Sequence, residues 1–240
     1  MSAARNEPRS EAAEVIDLSA MELRDLHALL HSLPTNTNRT AWEIINSRGR
    51  HSVAVGLQAP IRVAIDGHVG YYAGGMNQLA DIVIRGNAGP GVAENMMSGS
   101  VRVQGNASMA AGATGRGGLL VIEGDAGARC GISMKGIDIV VRGSVGHMSA
   151  FMAQEGNLVV CGDAGDALGD SLYEARIFVR GTVRSLGADC EQKEMGAEDR
   201  ALLGRLLAQA GCADMAPASF RLYGSARRLY HFHVDNANAY

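Results

Sequence analysis

The sequence predicts an all-β protein, a single-stranded right-handed parallel β-helix of about seven 19-residue coils with a helix at each end. Three observations carry that expectation. From Ile61 to Asp189 a glycine returns every nineteen residues, at Gly67, Gly86, Gly105, Gly124, Gly143, Gly162 and Gly181. Small residues recur three positions later (Gly70, Gly89, Ser108, Gly127, Gly146, Gly165, then Arg184) and seven positions later (Gly74, Ala93, Gly112, Gly131, Ala150, Gly169, Ala188). Apolar residues stand two and four places before every marker glycine. A fixed period of this size marks a solenoid, in which each copy buries its apolar side only by stacking on its neighbours.

The elements follow in chain order. Residues 1–14, MSAARNEPRSEAAE, are polar and lack the apolar run of a secretory signal, so they read as a disordered lead-in. Residues 15–60 are expected to hold a helix and the lead into the solenoid. Ser19-x-x-Glu22 has capping-box spacing, and Leu23, Leu26, Leu29, Leu30 and Leu33 form one apolar face until Pro34 ends it. Residues 61–195 are the repeat. Val63, Ile82, Val101, Leu120, Ile139, Leu158 and Ile177 precede the glycines by four, and Ile65, Ile84, Val103, Ile122, Val141, Val160 and Val179 by two. That spacing puts both columns on one strand face, which must point into the coil.

A polar residue follows each glycine (His68, Asn87, Asn106, Asp125, Ser144, Asp163, Thr182), and a small apolar one then turns inward (Val69 through Val183). The marker glycines are expected at corners with positive φ and close approach between coils. Left-handed hexapeptide solenoids advance in six-residue steps, which a nineteen-residue period does not fit, hence the right-handed expectation. Seven coils would stack into a rod of roughly 30 Å.

Outward columns add two expectations. Asp66 beside Arg85, and Glu123 beside Arg142, should form cross-strand ion pairs. The column Ala64, Val83, Arg102, Val121, Val140, Val159 and Phe178 is mostly apolar, so a helix or a partner should dock on it. Val83, Val121, Val140, Val159 and Phe178 are therefore the expected docking stripe. Residues 196–240 should form a helix and a strand-like tail. Glu198 and Asp199 suit the helix start, Leu202, Leu203, Leu206, Leu207 and Ala210 its apolar stripe, and Gly211 its end. From Phe220 the tail alternates, with Tyr230, Phe232 and Val234 against Leu229, His231 and His233.

Composition narrows function. A net charge of −3 lacks the electrostatic footprint of a nucleic-acid binder, and no apolar run is long enough to span a membrane. Cys130, Cys161, Cys190 and Cys212 form no C-x-x-C pair and read as reduced thiols of a cytoplasmic protein. Candidate chemistry is sparse. His231-x-His233 could offer two metal ligands but has no third at suitable spacing. Asp163, Asp166 and Asp170 resemble a calcium cluster, yet lie in one coil without a repeated calcium signature. Cys130 falls in an inward column. The glycines cradle no phosphate, because each copy leads into a strand rather than a helix. No catalytic, cofactor-binding or metal-binding residue is assigned.

The sevenfold G-x-x-G-x-x-x-[GA] pattern, with IDGHVGYYAGG, IEGDAGARCG and IVVRGSVGHMSAFMAQEG, resembles the C-terminal GXGXG domain of the glutamate synthase large subunit. Asn36-Thr37-Asn38-Arg39-Thr40 resembles the lead into that domain, so the likeness covers residues 36–195. It implies a right-handed β-helix without catalytic residues, packed between an amidotransferase domain and a flavin-dependent synthase barrel. The separate N-terminal helix and the tail LYHFHVDNANAY resemble split, three-chain relatives, above all the middle subunit of N-methylglutamate synthase (methylamine–glutamate N-methyltransferase). The implied partners are a glutamine amidotransferase-like subunit and an FMN-binding glutamate-synthase-like subunit, the latter holding FMN and an iron–sulfur cluster. The alternatives are the β-helix subunit of formylmethanofuran dehydrogenase and a self-sufficient polysaccharide-acting β-helix enzyme. The last would need an export signal and a carboxylate row on an outer face, and neither is seen.

Overall fold

The computed structural model describes residues 13–227. Most of the expected lead-in, the alternating tail from Leu229, and His231 and His233 lie outside the described residues. Eleven strands and two helices follow one another as β1 (Glu14–Asp17), α1 (Leu23–His31), β2 (Ala41–Ile45), β3 (Arg62–Ile65), β4 (Asp81–Ile84), β5 (Ser100–Val103), β6 (Leu119–Ile122), β7 (Lys135–Val141), β8 (Glu155–Val160), β9 (Arg176–Val179), β10 (Cys190–Lys193), α2 (Ala197–Ala210) and β11 (Arg221–Ser225). Strands β1 to β9 form one continuous parallel ladder, which β11 and then β10 close as antiparallel strands.

Register shows why the period is nineteen. Val63 lies beside Ile82, Ile82 beside Val101, and the column continues without slip through Leu120, Ile139 and Leu158 to Ile177. These side chains and their neighbours two places on are buried, so the strand alternation sends them into the coil. A second parallel line of bridges joins Val69, Ala88, Ala107, Ala126, Val145, Ala164 and Val183 around the corner. The fold is thus a parallel β-solenoid.

The ladder begins earlier than the glycine repeat. Trp42 and Ile44 of β2 stack on Val63 and Ile65, and β1 pairs in turn with β2. Glu14, at the end of the expected lead-in, is already a strand residue. The expected capping box at Ser19 does not form. Asp17 accepts the Ser19 N–H at 2.7 Å in a turn after β1, and Glu22 becomes the residue before the helix, without a side-chain cap. Leu26, Leu30 and Leu33 still bury as one face and close the N-terminal end with Ile16, Leu18 and Trp42. His27 and His31 pin α1 through Nε2 to the Ser52 and Val55 carbonyls, both at 2.8 Å.

Of the two reasons expected for the marker glycines, close approach between coils holds and positive φ does not. Among the seven, only Gly67 has positive φ, at +95°. The other six are small because the backbone of the preceding marker glycine and a ladder of side chains occupy the space beside them. The polar residue after each glycine accepts the backbone N–H of its counterpart one coil on. Asn106 N–H reaches Asn87 Oδ1 at 2.8 Å, Asp125 N–H reaches Asn106 Oδ1 at 2.8 Å and Ser144 N–H reaches Asp125 Oδ1 at 2.7 Å. The series starts at His68 and ends where Asp163 accepts from Thr182. A Cβ on Gly105, Gly124, Gly143 or Gly181 would collide with the ladder oxygen of the preceding coil. Left-handed backbone instead falls in the third small column, where Ala93 and Ala150 sit at φ +57° beside Gly112 at +67°.

Ion pairing also departs from expectation. Arg85 pairs with Glu43 at 2.6 Å rather than with Asp66, and Glu123 pairs with Arg102 at 3.2 Å rather than with Arg142. Arginine is long enough to reach a diagonal neighbour on the next strand, as Arg102 does, or an acid across one intervening strand, as Arg85 does, so the directly opposite acid is not its default partner.

Candidate functional site

The outward stripe is covered over the later coils by α2. Val121, Val140, Val159 and Phe178 pack in one buried cluster with Leu203, Leu206, Leu207 and Ala210. The helix is held at both ends. At its start Asp199 accepts the Gly196 N–H at 3.0 Å and an Arg176 N–H at 3.3 Å, while Arg176 also donates to Asn157 and Asn157 to Asp138. Gly211 ends it in the left-handed conformation. At that end Arg102 donates to the Gln209 and Ala210 carbonyls at 3.1 and 3.2 Å, where the helix dipole favours a cation. Val83 lies beyond Arg102 along the stripe and stays half-buried.

The residues weighed for chemistry are engaged otherwise. Asp163 accepts the backbone N–H and hydroxyl of Thr182, which hold its carboxyl below the usual carboxylate range. Asp166 pairs with Arg184 at 3.5 Å, and Asp170 accepts the Ser171 hydroxyl and the Ala188 N–H. Among the described residues no group of three histidine, cysteine or acidic side chains is arranged to hold a metal ion. Burial pushes the thiols of Cys130, Cys161 and Cys190 up to about 12, which leaves them without thiolate at neutral pH. No described helix is long and apolar enough to cross a membrane.

The feature that points outward is an aromatic shelf on the first coils. The His51 and Tyr71 rings stack at 4.4 Å with 12° between planes, and Tyr72 meets Tyr71 edge-on at 6.3 Å. Tyr71 N–H donates to His51 Nδ1 at 3.0 Å, fixing the stack to the backbone. Gly70 and Gly91 make room for it, because a Cβ at either place would run into the His51 or Tyr72 ring. Tyr71 and Tyr72 are each 49% exposed, and Met109 is 44% exposed.

This chain is 60% identical over 226 residues to Protein GlxC of Rhizobium meliloti (strain 1021), covering 94% of this chain and 99% of that protein. The chain belongs to the GlxC family. No family model and no solved structure matches it. In this GlxC-family chain, large apolar side chains also lie exposed on the flank at Met76, Leu79 and Met97, around a groove of about 570 Å³. A polar groove of about 760 Å³ lies among Asp138, Glu155, Asn157, Glu174 and Arg176.

Sequence reasoning missed the shelf because Tyr71 and Tyr72 occupy one copy of the repeat and no period flags them. The polar ladder was within reach. Every residue of that column from His68 to Asp163 can accept a hydrogen bond, and a column of acceptors at one register position is a signal in itself.

Proposed function

We propose that this GlxC-family chain is the non-catalytic, cytoplasmic middle subunit of a split glutamate-synthase-like enzyme, N-methylglutamate synthase. The complex would convert methylamine and L-glutamate into N-methyl-L-glutamate and ammonia. Its chemistry would belong to a glutamine amidotransferase-like subunit and to a subunit carrying FMN and an iron–sulfur cluster. The chain's part is to hold the two in place.

The observation that supports this reading is the rigid, half-exposed shelf of His51, Tyr71, Tyr72 and Met109. Aromatic and methionine side chains set on a stiff frame are the material of interface hot spots, since little entropy is lost when a partner covers them. Patterned likeness to the GXGXG domain supplies the kind of partner.

Co-expression with the two candidate partners tests it. A three-chain complex should turn over methylamine and glutamate, and this chain alone should not. Tyr71→Asp with Tyr72→Asp should weaken assembly by roughly a hundredfold, a loss of about 2–4 kcal/mol, while leaving the melting temperature of the isolated chain in place. Turnover by the isolated chain, or unchanged assembly of the double variant, would overturn the reading.

A further inference from the structure

At the N-terminal end an aromatic ring and a carboxylate hold one cation between them. The Arg39 guanidinium carbon lies over the Trp42 ring, 4.5 Å from its centroid. The same guanidinium donates through Nε and Nη2 to the two Glu14 oxygens at 2.7 and 2.6 Å. The ring meets the flat face of the cation and the acid takes the donors along its edge.

The aromatic shelf repeats this arrangement without the cation. A Cβ on Gly91 would stand 2.6 Å from Tyr72 Cδ1 and 2.8 Å from Glu94 Oε2, so ring edge and carboxylate border the same spot. Tyr71 meets Tyr72 with 73° between planes and brings a second ring, stacked on His51. Among the described residues no cation or donor meets the Glu94 carboxylate, and burial raises its pKa above the ordinary value. It has given up part of its water and keeps its acceptor sites open.

A guanidinium satisfies both groups at once. It is flat enough to lie on a tyrosine ring, and its donors form the paired bonds to a carboxylate that a lysine ammonium does not reproduce. The rings are half-exposed, so they cover only one side of a guest. A small free amine gains few contacts there, whereas an arginine carried by a protein brings its neighbours' contacts with it.

We propose that Tyr71, Tyr72 and Glu94 receive an arginine side chain of the subunit that docks on the shelf. This role rests on the reading of the shelf as an interface and names the chemistry that the docking subunit must present.

Titration of the full chain with N-acetylarginine amide, followed by NMR of the tyrosine rings, tests the site apart from any partner. Saturable shifts are expected at Tyr71 and Tyr72. Glu94→Gln should weaken binding roughly tenfold, because a charged acceptor is lost. Tyr72→Leu, read at Tyr71, should weaken it roughly threefold. N-acetyllysine amide should bind roughly threefold less tightly, and the neutral N-acetylcitrulline amide should give no saturable shift. Unchanged binding by Glu94→Gln, or a lysine or citrulline probe that binds as tightly as the arginine one, would overturn the proposal. Co-expression with the two candidate partners supplies the second arm. Glu94→Gln should weaken assembly roughly tenfold and leave the melting temperature of the isolated chain in place, since the side chain is partly exposed and keeps its size. Assembly that weakens with the tyrosine variants but not with Glu94→Gln would overturn the arginine and leave the interface standing. Failure of the wild-type chain to assemble would overturn the interface reading instead, and the titration still answers for the guanidinium site.

Discussion

The two halves of the solenoid share one period and one inward core, yet their outer sheet faces differ. Over β6 to β9 the face carries Val121, Val140, Val159 and Phe178 and is sealed by α2. Over β3 to β5 it carries Ala64, Val83 and Arg102, and among the described residues no helix packs on it. The change falls at Arg102, whose guanidinium meets the last carbonyls of α2. The same side chain that breaks the apolar stripe therefore ends the helix cover. A solenoid's inner columns set its shape, while its outer column decides where it supports itself and where it stays open.

The sharpest way to break this comparison is to place the same charge on both halves. Val140→Asp buries an unpaired carboxylate under α2 and should destabilise the chain by about 3–5 kcal/mol. Val83→Asp, half-exposed on the bare half, should cost less than about 1 kcal/mol. Urea denaturation of both variants measures the difference. Equal losses would mean that α2 does not bear on the later coils as its packing indicates.

The side-chain ladder crosses both halves, so it should respond alike in each. Gly105→Ala and Gly143→Ala force a Cβ onto Asn87 Oδ1 and Asp125 Oδ1 respectively. Each should lose about 2–4 kcal/mol from overpacking and a broken ladder bond. Gly131→Ala should cost only about 1 kcal/mol, because it needs left-handed backbone but meets nothing closer than 3.3 Å. A larger loss for Gly131→Ala than for Gly143→Ala would return the marker glycines to a φ-based role.

That contrast explains how far the sequence could be read. The coil, its inward columns and the helix-covered stripe were legible because apolar spacing states them directly. Which of the two expected reasons applied at each glycine was not. An absent Cβ looks the same whether it permits positive φ, as at Gly112, or admits a neighbour's side chain, as at Gly124. Ala93 and Ala150 show that the strained backbone does not even require glycine when cross-coil bonds hold it. Ion pairs were misread for a related reason. Register names the residue opposite, whereas Arg85 and Arg102 choose acids that their length can reach. The open shelf at Tyr71 and Tyr72 lay outside any periodic signal.

A smaller effect sharpens the boundary between the halves. Arg102→Ala removes the cation from the α2 C-terminus and its partly exposed pair with Glu123. Loss of about 0.5–1 kcal/mol is expected, together with faster amide exchange in the last turn of α2 and no change in α1. Exchange that quickens equally in both helices would show that Arg102 acts on the whole stack.

The smallest effect concerns the far end, where α1 rather than α2 provides the cover. Burial holds the His27 pKa below its ordinary value of 6.5, opposed in part by its bond to the Ser52 carbonyl. As pH falls through about 6.5, the unfolded chain takes up a proton that the folded chain still resists. The stability involved is thus complete above that pH and declines as pH drops toward the folded value. His31, stacked on His27 at 5.7 Å, adds repulsion once charged and pushes in the same direction. His27→Gln keeps a donor for Ser52 and should flatten the change in α1 protection between pH 7.5 and 5.5, roughly one unit either side of 6.5. Protection of α2 should not differ between wild type and variant across that range, since His27 bears on the opposite end of the stack. A pH response in α2 that vanishes with His27→Gln would mean that the two ends are coupled through the whole ladder, and the two halves would then have to be treated as one cooperative unit.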